Sequence, residues 1–600
     1  MDTSKERRWF RVRVWVVLIF LGVWLVALAG RLTQLMALGD ERVEEYAENL
    51  HFGSLDVSLP RGAIYDRALN EMAVSVDVNS IYINPRVIGS TAITAKAVAK
   101  ELEPVDMNAR DMAYKRIVTD IKKGRGKSFI WVRRKVDEET ASRVQRLGLR
   151  GVGLRKESKR YYPKRDSASK IIGYCGMDNQ GLYGIEQAYN KVMRPVSSRF
   201  TVLKDALGRP VSMPDDLGVA GKSGPVDLEL TIDDRIQYIT EKALEKQAVK
   251  TNAKSGVALV MDPHTGEILA MAEYPQFNPN HRFKFSALAV RPRAVEDAVE
   301  PGSTFKLFVA AAALEEKLIL PGDILDCENG QYKVGGHEFK EAHKNKYGML
   351  TVAEIIAKSS NIGAIKIGEK LGQKKLYSYL TAFGFGRKTG IDLPGESSGL
   401  LTSVPGWSAT SLPSISFGQE VSVTPMQLGA AVSSIANGGF LIRPHFVKAY
   451  MRNGETLKTV EPETMGRPIS RVSADLLKEM MKGVTTEGGT GMKAAIPGFV
   501  VAGKTGTAQK MDPVTKTYSL DRHLASFVGF FPADAPRLVI VVMIDEPRGV
   551  EWGGAVAGPV FSEIGVKAAR VLRVPSSLTD VYEINWGKLM GDGHEAKTGI

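Results

Sequence analysis

Hydrophobic and polar positions change rhythm several times along this chain, and each change marks an element. Val14 to Gly30, VWVVLIFLGVWLVALAG, runs seventeen residues without a charge before Arg31 opens an amphipathic extension, RLTQLMALGD. That run predicts one membrane-spanning helix over residues 14–34. From Val57 to Pro85, short alternating runs broken by Gly, Pro and Asn predict small strands and turns. Asp137 to Leu149, DEETASRVQRLGL, predicts a helix with an acidic start. At VDLELTIDDRIQYITEKALEKQAVK, Val226 to Lys250, the pattern becomes a clean strand followed by an amphipathic helix, which puts a domain boundary near residue 225. Ser255 to Pro275 reads as two apolar strands around the turn Asp262-Pro263-His264-Thr265-Gly266, an antiparallel hairpin. A second pair, Ala525 to Pro532 and RLVIVVMIDEP, follows a long, mostly helical insertion, and Phe561 to Leu572 closes the chain's last domain with a helix.

The fold class predicted is therefore α+β. A basic tail, residues 1–13, precedes the helix; an irregular mixed domain without catalytic machinery follows over 45–225. Residues 226–575 form an antiparallel sheet flanked by helices with a helical subdomain, and 576–600 form a tail. Lys5, Arg7, Arg8, Arg11 and Arg13 outnumber Asp2 and Glu6 before the helix. By the positive-inside rule the N-terminus stays in the cytoplasm and the bulk of the chain lies outside. Ala27-Leu28-Ala29 has the small-x-small form of a signal cleavage site, but the length of the apolar run and its Trp15 and Trp24 favour a permanent anchor.

Composition adds three constraints. The 600 residues are 44% hydrophobic and 24% charged, which is ordinary for a globular chain. The net charge of +13 is concentrated: Lys122 to Arg165 holds sixteen Lys or Arg against four acids. On an exported domain that surface would face anionic lipid or an acidic wall polymer, or only solvent, and not nucleic acid. Cys175 and Cys327 are the only cysteines, so no disulfide framework and no cysteine metal site is expected, and a single bridge between them has nothing to support it. His337 and His343, six apart, do not share a helical face and read as surface residues; no metal or other cofactor is expected.

Five stretches carry or imitate candidate chemistry. Gly498 to Lys510, GFVVAGKTGTAQK, matches the phosphate-loop pattern, and the apolar run ending at Asp545-Glu546 imitates a magnesium-holding strand end. A phosphate loop must open directly into a helix, and nothing after Gly506-Thr507 does so. Read as a strand, Lys504, Gly506 and Ala508 face one way and Thr505 and Thr507 the other, unless a bulge at the glycine re-aims them. EPGSTFKLFVAAAALEEKL starts a buried helix at Ser303, with Lys306 on the same face and within reach of its hydroxyl. A desolvated lysine there becomes a neutral amine able to take the serine proton. Ser359-Ser360-Asn361 places a hydroxyl and a carboxamide two apart, suited to relaying a proton and binding an amide. Ser167-Ala168-Ser169-Lys170 repeats the Ser-x-x-Lys spacing in a basic loop region with no buried helix, and Gly395 to Gly399, GESSG, fits a hydrolase elbow without its strand-turn-helix context; both read as chance.

In the order Ser303-x-x-Lys306, Ser359-x-Asn361, Lys504-Thr505-Gly506, with 56 and 145 residues between them, the motifs resemble the three signatures of the penicillin-recognising serine acyltransferases and β-lactamases. RGAIYDRALNEMAVS, RYYP, GLYGIEQAYN, IDLPGESSGLL, SFGQEVSVTPMQLGAAVSSIANGG and GGAVAGPVF extend the resemblance over roughly residues 20 to 570, to the class B penicillin-binding proteins of the cell-division type. Leu307, Arg165 and Lys170 stand where that family often has proline, glycine and histidine. The resemblance implies a membrane-anchored D,D-transpeptidase in the inner membrane, with its catalytic domain outside, that cross-links peptidoglycan stem peptides at the septum and is acylated by β-lactams. It implies Ser303 as nucleophile, Lys306 as base, Ser359 and Lys504 on the proton path, Asn361 on the peptide amide, and Thr505, Gly506 and Thr507 at the terminal carboxylate. The N–H groups of Ser303 and Thr507 would form the oxyanion hole. Partners implied are stem-peptide donor and acceptor, a polytopic glycan polymerase and other division proteins. The competing readings are a scaffold or sensor with this fold, which would be acylated without turning over, and a phosphate-loop ATPase.

Overall fold

The computed structural model describes residues 3–37, 52–57, 60–194, 198–203, 224–281, 287–342, 345–512, 515 and 517–576. His343, residues 45–51 and 204–223 of the expected mixed domain, and the tail from 577 onward lie outside them. The chain divides into two compact units, one of Met1–Leu59 with Val196–Gly224 and one of Pro60–Pro195 with Pro225–Ile600.

The first unit contains helix α1 (Thr3–Ala37) and an antiparallel pair of β1 (Phe52–Val57) with β6 (Ser198–Leu203), in which Phe52 faces Leu203. The segment of α1 long and apolar enough on average to span a membrane runs from Arg8 to Gln34, starting earlier than the expected 14–34. Its 27 residues extend about 40 Å, enough to cross a hydrocarbon layer of about 30 Å with tilt.

In the second unit β2 (Ile64–Tyr65) leads into β3 (Glu71–Ile83), which pairs with β4 (Ile130–Val136) and, from Val74 to Ile83, with β5 (Val152–Tyr161). The small strands expected here are thus partly one strand of 13 residues. It continues through the polar Asn79-Ser80 because Ser80 is satisfied inside the sheet: its hydroxyl donates to Glu157 and accepts from the N–H of Lys135. Helices α2 (Thr91–Leu102), α3 (Met107–Lys123) and α4 (Glu138–Arg146) pack Val98, Ala99, Ile117 and Val144 against Ile81 and Ile83. Asp137 caps α4 by accepting from Thr140 N, as its acidic start leads one to expect.

One sheet runs across position 225. β2 lies parallel to β7 (Asp227–Leu230), with Ile64 facing Leu228, and β7 continues the sheet to β10 (Val447–Arg452) and β11 (Glu455–Thr459). Arg61 and Arg160 sandwich the buried Glu186 at 2.6 and 2.5 Å. Short helix α5 (Ser169–Ile172) is buried, contrary to the basic loop region without a buried helix expected there. Lys170 reaches out of it to Glu273, 3.1 Å away. Its amine is held by a carboxylate, so this second Ser-x-x-Lys carries no base.

The catalytic half is built on a five-stranded antiparallel sheet in the order β12 (Ala502–Met511), β13 (Tyr518–Phe531), β14 (Leu538–Asp545), β8 (Ser255–Met261), β9 (Ile268–Tyr274). β14 is its central strand and fully apolar from Leu538 to Ile544, which is why the run reads as a continuous hydrophobic stretch. Helices α6 (Asp234–Lys250) and α10 (Gly558–Val571) contribute buried Ile236, Leu244, Phe561 and Ile564 to the same core. Cys175 and Cys327 are both buried and free.

Candidate active site

Ser303 sits in a tight 3-10 turn, Gly302–Phe305, and the α-helix α7 (Lys306–Glu315) begins at Lys306, three residues later than the sequence predicts. The delay has a backbone cause. Gly302 has φ 55° and its N–H donates to Gly418 O at 3.1 Å, so the chain arrives in a left-handed conformation that cannot continue as α-helix. Every residue of α7 from Lys306 to Leu314 is buried. Phe305 and Phe308 anchor it against Phe383 and Phe385, with ring centroids 4.8–5.0 Å apart.

Ser359 closes α8 (Val352–Lys358) in the left-handed region, φ 61°, and Ser360 caps α9 (Asn361–Leu371) by accepting from Gly363 N. The turn is fixed by Glu341, a buried carboxylate that sequence reasoning passed over between two histidines. It accepts from the Ser360 hydroxyl, from Asn361 N at 2.6 Å and from Ile362 N at 3.2 Å. Its negative charge also sits where the positive end of α9 and two unpaired N–H groups need it.

The amine of Lys306, 1% exposed, is not hydrogen-bonded to Ser303. It contacts Ser359 O at 2.6 Å, Asn361 Oδ1 at 2.8 Å and Ser359 Oγ at 3.3 Å. Burial pulls this amine down to about 7, against the opposing charge of Glu341. In its neutral form both N–H groups point at carbonyl oxygens, which can only accept, so the Ser359 hydroxyl is the donor to the amine's lone pair. Lys504 is wholly buried and held well below the usual lysine range, first by burial and then by the nearby Lys306. Its Nζ donates to Thr505 O at 3.2 Å.

β12 pairs with β13 in regular register from Ala502 opposite Phe530 to Gln509 opposite His523, so no bulge re-aims the residues at Gly506. Alternation therefore holds: Thr505 and Thr507 line the cleft while Lys504 is turned behind it. A Cβ on Gly506 would lie 2.3 Å from Ser526 Oγ, 2.9 Å from the Thr304 side chain and 3.1 Å from Pro301 O, so glycine lets the strand lie flush against the Ser303 turn. The Thr507 hydroxyl accepts from Gly553 N at 3.1 Å, which leaves its hydrogen free for a ligand. Thr505 pairs with Thr490 at 2.8 Å.

Ser303, Ser359, Asn361, Thr505 and Thr507 thus meet in one open cleft of about 1140 Å³, whereas Lys306, Lys504 and Gly506 are buried and do not line it. His337 is exposed and lines the same cleft; His523, Glu551 and Trp552 line it as well, from positions that no local motif marks. The two decoys fall outside this chemistry. The phosphate-loop match runs into a strand with its lysine buried, and Glu396 of GESSG binds the N–H groups of Thr389 and Gly390 as a loop clamp.

Two family models match the chain: the penicillin binding protein transpeptidase domain over residues 256–565 and the penicillin-binding protein dimerisation domain over 56–224. Among curated relatives, stage V sporulation protein D of Bacillus subtilis is 33% identical over 560 residues, covering 92% of this chain and 85% of the relative. The peptidoglycan D,D-transpeptidase FtsI of Escherichia coli is 32% identical over 594 residues, 96% of each. Among solved structures, penicillin binding protein 3 from Mycobacterium tuberculosis in complex with aztreonam superposes with a TM-score of 0.66 at 25% identity, covering 86% of this chain and 97% of the other.

Proposed function

The chain belongs to the class B penicillin-binding proteins of the FtsI type, and from that premise we propose that it cross-links peptidoglycan at the septum through an acyl-enzyme on Ser303. It is a serine-type peptidoglycan D,D-transpeptidase that binds β-lactams, and it is anchored to the membrane. The basic residues at the start of α1, Lys5 to Arg13, favour an N-terminus in the cytoplasm with the catalytic half outside the inner membrane. The observation that supports the residue assignment is the pair of buried lysines, both depressed by burial, with Lys306 bonded to the Ser359–Asn361 turn and Lys504 close enough to feel its charge, beside the cleft that Ser303 lines.

Ser303 attacks the carbonyl of the penultimate D-Ala and passes its proton to Lys306 as substrate fills the cleft, an approach that tightens the Ser303–Lys306 contact absent from the empty site. The proton returns through Ser359, which already faces the Lys306 amine, to the leaving nitrogen. Lys504, buried and held below the usual lysine range, stands on the same proton path. Asn361 orients the donor's peptide amide, its own amide being fixed by Lys306 on one atom and Lys340 O on the other. Thr505 and Thr507 hold the terminal carboxylate, and the N–H groups of Ser303 and Thr507 receive the oxyanion. The partners of the membrane helix and of residues 45–225 are a polytopic glycan polymerase and other division proteins.

The test is turnover. Full-length protein in detergent, given a stem-peptide donor ending in D-Ala-D-Ala and an amine acceptor, releases D-alanine and forms the cross-linked amide. Acylation by penicillin with no D-alanine release from any donor would favour the scaffold reading.

A further inference from the structure

The cleft holds an imidazole–carboxylate pair that acylation leaves without a task. His523 stands on β13 opposite Gln509 of β12, one same-face step beyond the Thr507–Ala525 pair, so it shares the cleft face of the sheet with Thr505 and Thr507. Its Nδ1 lies 3.1 Å from Oε2 of Glu551, with side chains 8% and 36% exposed, and both residues line the cleft. A carboxylate on Nδ1 fixes the ring and favours the tautomer whose lone pair is on Nε2. Among the described residues no hydrogen bond engages Nε2.

The surrounding charges are otherwise occupied. Glu546, whose N–H donates to the His523 carbonyl, holds Lys510 at 2.7 Å and Lys254 at 3.1 Å; Asp545 also holds Lys510, and Arg522 pairs with Asp512. Asp521 is exposed. Elsewhere on the cleft, Tyr518 donates to Glu300, and Glu420 accepts from the Ser411 hydroxyl. Glu551 is the one carboxylate paired with the imidazole.

Resolution of an acyl-serine by a primary amine needs a base at the mouth of the site. A lysine-like amine, with a pKa near 10.4, is neutral in only about one molecule in 10³ at pH 7. An ammonium has no lone pair and cannot attack. Lys306 and Lys504 lie beneath the cleft, bonded to Ser359, Asn361 and Thr505, and do not meet an amine as it enters.

We propose that His523, oriented by Glu551, is the base that deprotonates the acceptor ammonium. Nε2 takes one proton and the imidazolium is balanced by Glu551. The amine nitrogen then bonds to the ester carbonyl and the carbonyl–Oγ bond to Ser303 breaks. The second N–H proton goes to Ser303 Oγ by way of Lys306, and His523 releases the first to solvent. Ammonium and acyl ester become amide, free serine and one proton. The inference rests on the acyl-serine reading at Ser303.

The test follows the fate of the acyl-enzyme formed by the full-length protein from a thioester donor. Partition between hydrolysis and aminolysis is read by mass spectrometry with two acceptors: D-alanine, whose amine is protonated at neutral pH, and hydroxylamine, which is neutral there. His523→Gln lowers the aminolysis-to-hydrolysis ratio at least about tenfold with D-alanine and leaves it within about twofold with hydroxylamine. Glu551→Gln gives the same pattern with a smaller loss, and it carries the same criterion if His523→Gln does not fold. Equal losses with both acceptors, or none with either, overturn the proposal. Absence of any acyl-enzyme from the wild type counts instead against Ser303.

Discussion

Lys306 is the residue whose titration ties the chemistry of this protein to its stability. Its amine titrates at about 7 in the fold against an ordinary 10.5. Between those values the unfolded chain carries a proton that the folded one does not, so folding stability rises with pH across that window and is flat below it. Compared with Lys306→Met, which cannot titrate, the wild type gains up to roughly 1 kcal/mol per pH unit from about pH 7 upward. Urea unfolding of both proteins at neutral and alkaline pH measures it. The same titration gates chemistry: acylation by a β-lactam falls as pH drops below about 7, where the amine is protonated. Glu341 makes a complementary point. Replacing it with Ala orphans the N–H groups of Asn361 and Ile362 inside the protein, at about 1–3 kcal/mol each, and lets the Ser359 turn relax. Glu341→Ala therefore both lowers the unfolding midpoint and slows acylation, as stopped-flow labelling reads. The sequence could mark Ser303, Lys306 and Asn361 because their spacing is local. It could not mark Glu341, whose partners are some twenty residues away.

At the scale of elements, the site depends on two backbones touching without side chains between them. Gly506 lets β12 lie against the Ser303 turn, and Gly553 in turn lies against β12 and β13: a Cβ there would stand 2.2 Å from Gly506 O and 2.3 Å from Ser526 O. Both obstacles are strand carbonyls, which cannot swing aside. Gly553→Ala accordingly displaces β12 from Ser303, and the expected outcome is a folded protein with a lowered melting temperature and strongly reduced acylation, checked by thermal scan and labelling rate. The strand character of GKTGTAQK, its alternation and the hairpin at Asp262 were all legible in the sequence, since period two and turn residues are local signals. The start of α7 was not. The 3-10 turn exists because Gly302 binds Gly418, more than a hundred residues later in the chain. Likewise α5 is buried because Glu273 reaches it, a fact that a basic stretch viewed alone conceals.

For the whole molecule, the order of parts was readable and their union was not. Composition shifts separate a mixed domain from a catalytic one near residue 225, yet β2 and β7 join in one sheet across that point and Lys170 pairs with Glu273 across it as well. Neither contact leaves a local trace. What the fold accomplishes is to bring residues 303, 359, 361, 505 and 507 to one cleft, with Lys306 and Lys504 buried and both amines held below the usual lysine range. The most direct test of that arrangement is the intact mass and peptide map of the full-length protein after incubation with a β-lactam. The account predicts one adduct per chain, on Ser303, absent from Ser303→Ala. An adduct on any other residue, or one that persists in Ser303→Ala, contradicts it.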